Sequence, residues 1–354
     1  MPSAVRCNQE MTSYYHHNRP FELECGVTLP QLDVAYHTFG SMNADRSNVV
    51  WVCHALTANS DVADWWPHTV EQGCFLDPDK WFVVCANILG SHYWFGTFPA
   101  VTIRDMVRAH ALLADALGVG HIHTLVGSSV GGFQAVEWAV ADPSRFGQLV
   151  LIATDAKASP WTIAIDETQR MAILADSTYG EPRPDAGMAG LAAARAIGLL
   201  TYRGGEGYNR TQADHPDTPE GEHRACTYQR YQGEKLCCRF NAYSYMSILN
   251  AFDTHDVGYC RGGVEEALAR ITARTLVVGL TTDMIFTTSD MRRLAAAIGG
   301  ARYAEISSPF GHDGFLVEHV QLNALLGGFM GEPECGSDGD GENIVAAMRV
   351  ANKE

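Results

Sequence analysis

The sequence predicts an α/β fold, a mostly parallel, doubly wound sheet that carries a helical insertion. Three observations predict it. Apolar runs at Val49–Cys53, Trp81–Cys85, Ile122–Val126 and Gln148–Ile152 read as strands buried on both faces of a parallel sheet. Segments of helical period alternate with them, which is the strand–helix–strand order that such a sheet requires. From about Lys157 to Gly263 the pattern turns helical, and strand sequence resumes at Thr275–Val278. The expected organisation is therefore a core of residues 1–156 and 264–330, a lid of residues 157–263 and a tail of residues 331–354.

Taken in order, Phe21–Val27 and Leu32–Tyr36 alternate as an antiparallel pair does, with Leu29-Pro30 between them, and are expected at the sheet edge. Thr102–Leu117 reads as a helix: Thr102 and Asp105 form a capping box, Ile103, Met106, Val107, His110, Leu113 and Leu117 make one stripe, and Gly118 and Gly120 end it. A strand at Ile122–Val126 runs into a turn and then a helix to about Ala141, stopped by Asp142-Pro143. Within the lid, Thr162–Ala175, Met188–Leu200 and Phe240–Phe252 are the helix candidates, while Tyr179–Asp185 and Gly204–Glu222 carry loop composition. Arg302–Ile306 is a further strand, and a helix from Gly314 to about Leu326 is expected to close the core. Gly336–Gly341 reads as an acidic linker and Asn343–Val350 as a short helix, with no chemistry attached to either.

The formal net charge of −16 argues against nucleic acid or an anionic membrane as a partner. With 46% hydrophobic and 19% charged residues, the chain has ample material for a large core. Its ten cysteines are scattered, with no CxxC pair and one vicinal Cys237-Cys238, which suits a reducing, cytoplasmic compartment. The start, Met1–Arg6, leads into polar sequence with no apolar signal region, and no apolar run is long enough for a membrane span.

The chemistry centres on Gly127-Ser128-Ser129-Val130-Gly131. Between a strand and a helix this is the G-x-S-x-G elbow, in which glycines allow close backbone approach around an exposed nucleophile. Only Ser129 has glycine two places to each side, so register excludes Ser128. A serine hydroxyl needs a base, and the base needs a carboxylate to set its tautomer. Asp283, five residues past the strand ending at Val278, and His312, past the strand ending at Ile306, supply them in the order serine, acid, histidine. Asp290 is the competing acid, farther from its strand end, and Asp283 could instead cap a helix. The oxyanion hole is expected from the amide of Val130 and, in the loop His54–Thr57, that of Leu56. No metal site is expected.

These residues carry a resemblance. The stretches Val52–Thr57, Cys85–Ser91, Phe98–Val107, Gln169-Arg170, Leu200–Arg203 and Gly311–Leu316 resemble the homoserine O-acetyltransferases of the α/β-hydrolase superfamily, acyl-CoA-dependent enzymes of methionine biosynthesis. The likeness runs from about Phe21 to Met330, and Thr102–Met106 is especially specific to the family. It implies an α/β-hydrolase fold, a triad of Ser129, Asp283 and His312, and Arg170 and Asp313 as the groups that bind the carboxylate and amino group of homoserine. It also implies acetyl-CoA as co-substrate with no other cofactor, a ping-pong transfer through acyl-Ser129, and a homodimer through the lid helices. Arg203, Arg210, Lys235 and Arg239 are the lid cations available for the anionic donor. The elbow reads Gly-Ser-Ser-Val-Gly-Gly where the family usually has Gly-Gly-Ser-Met-Gly-Gly, and the family's glycine-rich loop is replaced by the shorter, aromatic Ser91–Thr97. The alternatives are a serine hydrolase with the same triad, a related acyltransferase using serine or a succinyl donor, or, against the intact triad, a catalytically inactive binding protein.

Overall fold

The computed structural model describes residues 12–91 and 99–331. The aromatic loop at 92–97, the linker at 336–341 and the helix expected at 343–350 lie outside them.

Every residue of Val49–Cys53 and Phe146–Ile152 is buried, as strands covered on both faces must be. In chain order the elements are β1 (Ser13–His17), β2 (Phe21–Glu22), β3 (Thr28–Leu29), β4 (Leu32–Phe39), β5 (Val49–Cys53), the short α1 (Val62–Trp65) and β6 (Phe82–Ala86). Next come α2 (Ile103–Ala116), β7 (Ile122–Ser128), α3 (Val130–Ala141) and β8 (Phe146–Ile152). Five helices follow: α4 (Pro160–Leu174), α5 (Met188–Tyr202), α6 (Gly205–Gln212), α7 (Arg224–Cys237) and α8 (Ala242–Asp253). The chain then returns through α9 (Val264–Leu268), β9 (Arg274–Leu280), α10 (Thr288–Ala297), β10 (Arg302–Ile306), α11 (Gly314–Val317) and α12 (His319–Met330).

Eight strands form one sheet in the order β1-β4-β6-β5-β7-β8-β9-β10. All pairs from β6 to β10 are parallel, and β1 and β4 are antiparallel additions at one edge. The α2 capping box is present, with Thr102 accepting from the Asp105 amide and Asp105 from the Thr102 amide.

The expected antiparallel pair at the edge is corrected. Phe21–Glu22 pairs instead with Thr28–Leu29 in a separate hairpin, and the partner of Leu32–Phe39 in the main sheet is Ser13–His17. That edge strand is largely solvent-exposed, so nothing demands apolar alternation in it. The expected closing helix is also broken in two, at Glu318. The Phe315 carbonyl there accepts the indole N–H of Trp66 at 2.8 Å.

Helices α4 to α8, five of the six between β8 and β9, lie against the loops at the carboxyl ends of the strands. Arg239 donates to the Thr57 carbonyl after β5, and Ser247 of α8 packs on Gly90 after β6. Trp161 of α4 donates to Met284 O (2.8 Å) after β9, and Gly207 N of α6 donates to Pro309 O (3.2 Å) after β10. Among the described residues no helix is long and apolar enough to cross a membrane, and the cysteines are free.

Candidate active site

Strand β7 ends at Ser128, and α3 begins at Val130, so Ser129 alone makes the turn. Its φ of 53° and ψ of −128° place a non-glycine residue in a strained conformation, which persists only where the surroundings impose it. The flanking glycines impose it. A Cβ on Gly127 would lie 2.5 Å from the Gly131 carbonyl oxygen, and one on Gly131 would lie 2.1 Å from that of Cys53. The close approach of Gly131 to Cys53 and His54 also brings the start of α3 against the loop that carries Leu56. Val130 is the first residue of that helix, and its N–H has no intrahelical acceptor.

His312 lies in the short turn Gly311–Asp313 after β10, and Asp283 in the loop after β9. The structure brings both to Ser129. His312 Nε2 is 2.9 Å from Ser129 Oγ, and His312 Nδ1 is 2.7 Å from Asp283 Oδ2. Asp283 Oδ1 meanwhile accepts from the amides of Ile285 (2.8 Å) and Phe286 (3.1 Å). No helix starts at Asp283, so it is not a helix cap: one oxygen holds the two amides of the loop before α10, whose cap is Thr287, and the other holds the histidine. Asp290, the competing acid, is occupied elsewhere: it closes the α10 capping box with Thr287 and pairs with Arg293.

Asp283 and His312 are buried, whereas Ser129 is half-buried. Burial alone would push the imidazole pKa down. The charge and hydrogen bond of Asp283, helped by Asp313, outweigh it and lift His312 above its ordinary value. Phe286, Phe315 and Tyr202 pack around the ring, with centroids 5.6, 5.4 and 5.9 Å away.

Asp313 is buried beside the histidine, with its Oδ2 3.0 Å from Arg203 Nε. Burial raises its pKa, against the opposing charges of Arg203 and Arg195. Arg170, in contrast, is not brought to this centre. Its guanidinium is held by Asp253 at 2.6 Å and Glu167 at 2.7 Å. Asp253 lies beside the buried Asp166, whose carboxyl is pushed well up by burial and by the Asp253 charge. These pairs hold Arg170 within the lid, with no contact to Ser129, His312 or Asp313 among the described residues, so the structure does not bring it to the place where the expectation put a substrate carboxylate.

The cation that sequence reasoning missed is Arg195. It is the only charged residue of α5, carries no ion pair among the described residues, and lies 5.6 Å from the ring centre of Tyr202, next to His312. A lone charge on an otherwise apolar helix was the available signal. Of the four lid cations, Arg203 is engaged by Asp313 and Arg210 lies over the Phe310 ring at 5.5 Å. Arg239 reaches the Thr57 carbonyl, and Lys235 is exposed in the last turn of α7. No group of side chains with metal-binding geometry occurs among the described residues.

Comparison with known proteins places this geometry in a family. The family model described as the alpha/beta hydrolase fold matches residues 48–183. The homoserine O-acetyltransferase of Cyclobacterium marinum is 39% identical over 336 residues, covering 90% of this chain and 95% of that protein. The chain belongs to the homoserine O-acetyltransferase family. Among solved structures, the homoserine O-acetyltransferase from Bacillus anthracis superposes with a TM-score of 0.84 at 20% identity, covering 92% of this chain and 100% of the other. Esterase E22 superposes with a TM-score of 0.81 at 19% identity, covering 90% and 99%. Both likenesses establish the α/β-hydrolase fold. A fold shared by transferases and esterases leaves the chemistry to the site.

Proposed function

We propose that the chain is a homoserine O-acetyltransferase that moves an acetyl group from acetyl-CoA to the hydroxyl of L-homoserine through an acyl-Ser129 intermediate. The observation that carries this reading is the placement of one imidazole between the Asp283 carboxylate and the Ser129 hydroxyl, in a member of this family. His312 Nε2 takes the Ser129 proton as Oγ forms its bond to the thioester carbon. The resulting oxyanion sits on the amides of Leu56 and Val130. The C–S bond then breaks, the thiolate leaves with the proton from His312, and acetyl-Ser129 remains. The homoserine hydroxyl next attacks the acyl carbon as His312 takes its proton, and collapse returns that proton to Ser129 Oγ.

Arg195 is the group proposed for the homoserine carboxylate, since a guanidinium grips a carboxylate bidentately. Asp313, braced by Arg203, is proposed for the ammonium group. Arg210, on α6, and Arg239, in the turn between α7 and α8, stand among the helices facing the strand ends and are proposed for the donor's phosphates. The same helices shield the acyl-enzyme from water, which transfer requires if it is to outrun hydrolysis. Two copies are proposed to pair through α4, on which Ile163, Met171 and Leu174 share one side and are 36%, 60% and 58% exposed; sedimentation at a dimer mass would support this.

The experiment is thiol release from acetyl-CoA, followed with and without L-homoserine. Release that is fast with homoserine and slow in water supports the reading, whereas equal rates would assign a hydrolase. L-Serine and succinyl-CoA as alternative acceptor and donor complete the panel.

A further inference from the structure

The residues between Cys53 and Leu56, and the segment Cys85–Ser91, belong to no step described so far, although both belong to the stretches that carry the family likeness. They meet at His54, which is fully buried at the end of β5. Its Nε2 faces the backbone N–H of Ile88 at 3.0 Å, and its Nδ1 faces the carbonyl oxygen of Ala55 at 2.9 Å. An amide N–H can only donate and a carbonyl oxygen can only accept. Both contacts are therefore satisfied together by one species, the neutral imidazole with its proton on Nδ1.

The peptide that accepts this proton joins Ala55 to Leu56. A trans peptide is planar, with its C=O and N–H pointing in opposite directions. Holding the Ala55 oxygen against His54 therefore aims the Leu56 N–H the other way. A hydrogen bond to the carbonyl also polarises the peptide and strengthens its N–H as a donor. The far side of the imidazole is anchored just as firmly. Ser60 N donates to Asn87 Oδ1 at 3.1 Å, Asn87 Nδ2 donates to Ser60 Oγ at 3.0 Å, and His37 Nδ1 lies 2.8 Å from that same hydroxyl. These bonds tie the loop after β5 to the loop after β6. Gly131 closes the arrangement from below: a Cβ there would lie 2.9 Å from the His54 carbonyl oxygen, so the elbow and the His54 backbone are in direct contact.

We infer that His54 is a positioning residue of the oxyanion hole, setting the direction and donor strength of the Leu56 amide through the Ala55 carbonyl. The inference rests on the reading of Leu56 and Val130 as the oxyanion donors. Its role is felt where negative charge develops on the acyl oxygen, in the acylation and deacylation transition states, and not in the binding of homoserine.

Two conservative variants separate the two imidazole nitrogens. In His54→Asn the side-chain NH2 overlays Nδ1 and keeps the bond to Ala55 while losing the Ile88 contact. In His54→Gln the amide oxygen overlays Nε2 and keeps the Ile88 contact while losing the donor to Ala55. Each is made in the full chain, checked for native far-UV circular dichroism, and assayed with acetyl-CoA and L-homoserine. Inhibition by methylboronic acid, which forms a tetrahedral adduct on a serine oxygen, is measured alongside. Loss of a complete oxyanion donor costs about 10²–10³ in kcat, so H54Q is expected to lose about 30- to 100-fold in kcat and a similar factor in boronate affinity. Its KM for homoserine is expected to stay within about 2-fold because homoserine binding is untouched, and H54N within about 5-fold of the parent kcat because the bond to Ala55 is kept. Equal losses in the two variants, a larger loss in H54N, or an H54Q effect confined to KM would overturn the inference. If H54Q does not fold, a folded H54N within about 5-fold of the parent kcat supports it, and one that loses more overturns it. Leu56→Pro, which deletes the N–H itself, distinguishes the two levels. A fall in boronate affinity in L56P with none in H54Q overturns the role of His54 alone, and unchanged boronate affinity in L56P overturns the oxyanion assignment beneath it.

Discussion

Asp283→Asn is the perturbation whose consequence follows most completely from the geometry. The carboxylate uses one oxygen to accept from His312 Nδ1 at 2.7 Å and the other to accept from the amides of Ile285 and Phe286. An asparagine has one oxygen to place. Turned toward the two amides, it keeps two bonds and sets its NH2 against Nδ1; turned the other way, it keeps one bond and sets donor against two donors. The first arrangement wins. The NH2 then forces the lone pair onto Nδ1 and the proton onto Nε2, which faces Ser129 Oγ, so the base is lost while the fold is kept. A tautomer reversal of this kind in a serine triad lowers kcat by about 10⁴, which corresponds to about 5.4 kcal/mol of barrier. The assay is the first-turnover release of thiol from acetyl-CoA, with unfolding followed in urea as a control. A folded variant that acylates within about 10-fold of the parent rate refutes the reasoning, because no set of bonds then requires the aspartate.

Gly131→Ala puts a Cβ 2.1 Å from the Cys53 carbonyl oxygen. The gain in helix propensity is about 1 kcal/mol, and overpacking against backbone is expected to exceed it, giving net destabilisation by about 1–3 kcal/mol in urea unfolding. The pH dependence follows from His312, which must be neutral to act as base. Because its pKa lies above the ordinary 6.5, the acid limb of kcat/KM is expected above that pH, and Asp313→Asn, by removing one raising charge, should move the limb of the acylation rate to lower pH. Arg195→Met should raise the KM for homoserine about 30-fold, the worth of a charge-assisted hydrogen bond of about 2 kcal/mol, with the fold intact. Arg170→Met should leave KM within about 2-fold but destabilise the protein by roughly 3 kcal/mol, because it strands Asp253 beside Asp166. Kinetics and urea midpoints on the two variants separate these outcomes.

The parts of the fold legible from sequence were those with local cause. Strands buried on both faces must be apolar throughout, as at Val49–Cys53, and a capping box such as Thr102 with Asp105 writes a helix start into four residues. The exposed strand Ser13–His17 has no such signature, because its pairing with Leu32–Tyr36 is a long-range backbone matter. Helix α6 falls in Gly204–Glu222, read as loop, and is held by contacts such as Gly207 N to Pro309 O rather than by propensity. At the site, Ser129, Asp283 and His312 were readable because the fold places such groups just past strand ends in a set order. Arg170 was picked out by resemblance alone, and its pairing with Asp253 of α8 is a contact between helices that no motif encodes; Arg195 is marked in the sequence only as the lone charge of α5. The roles of His54 and Asn87 lie in bonds between loops, which no spacing encodes.

The central claim is that Ser129 carries the acyl group between donor and acceptor. Intact-mass analysis and peptide mapping after mixing with acetyl-CoA, and then with L-homoserine, tests it most directly. The account predicts one acetyl group on Ser129 that L-homoserine discharges far faster than water does, yielding O-acetylhomoserine. Rapid product formation with Ser129→Ala, or an acetyl group that homoserine does not discharge, would contradict it.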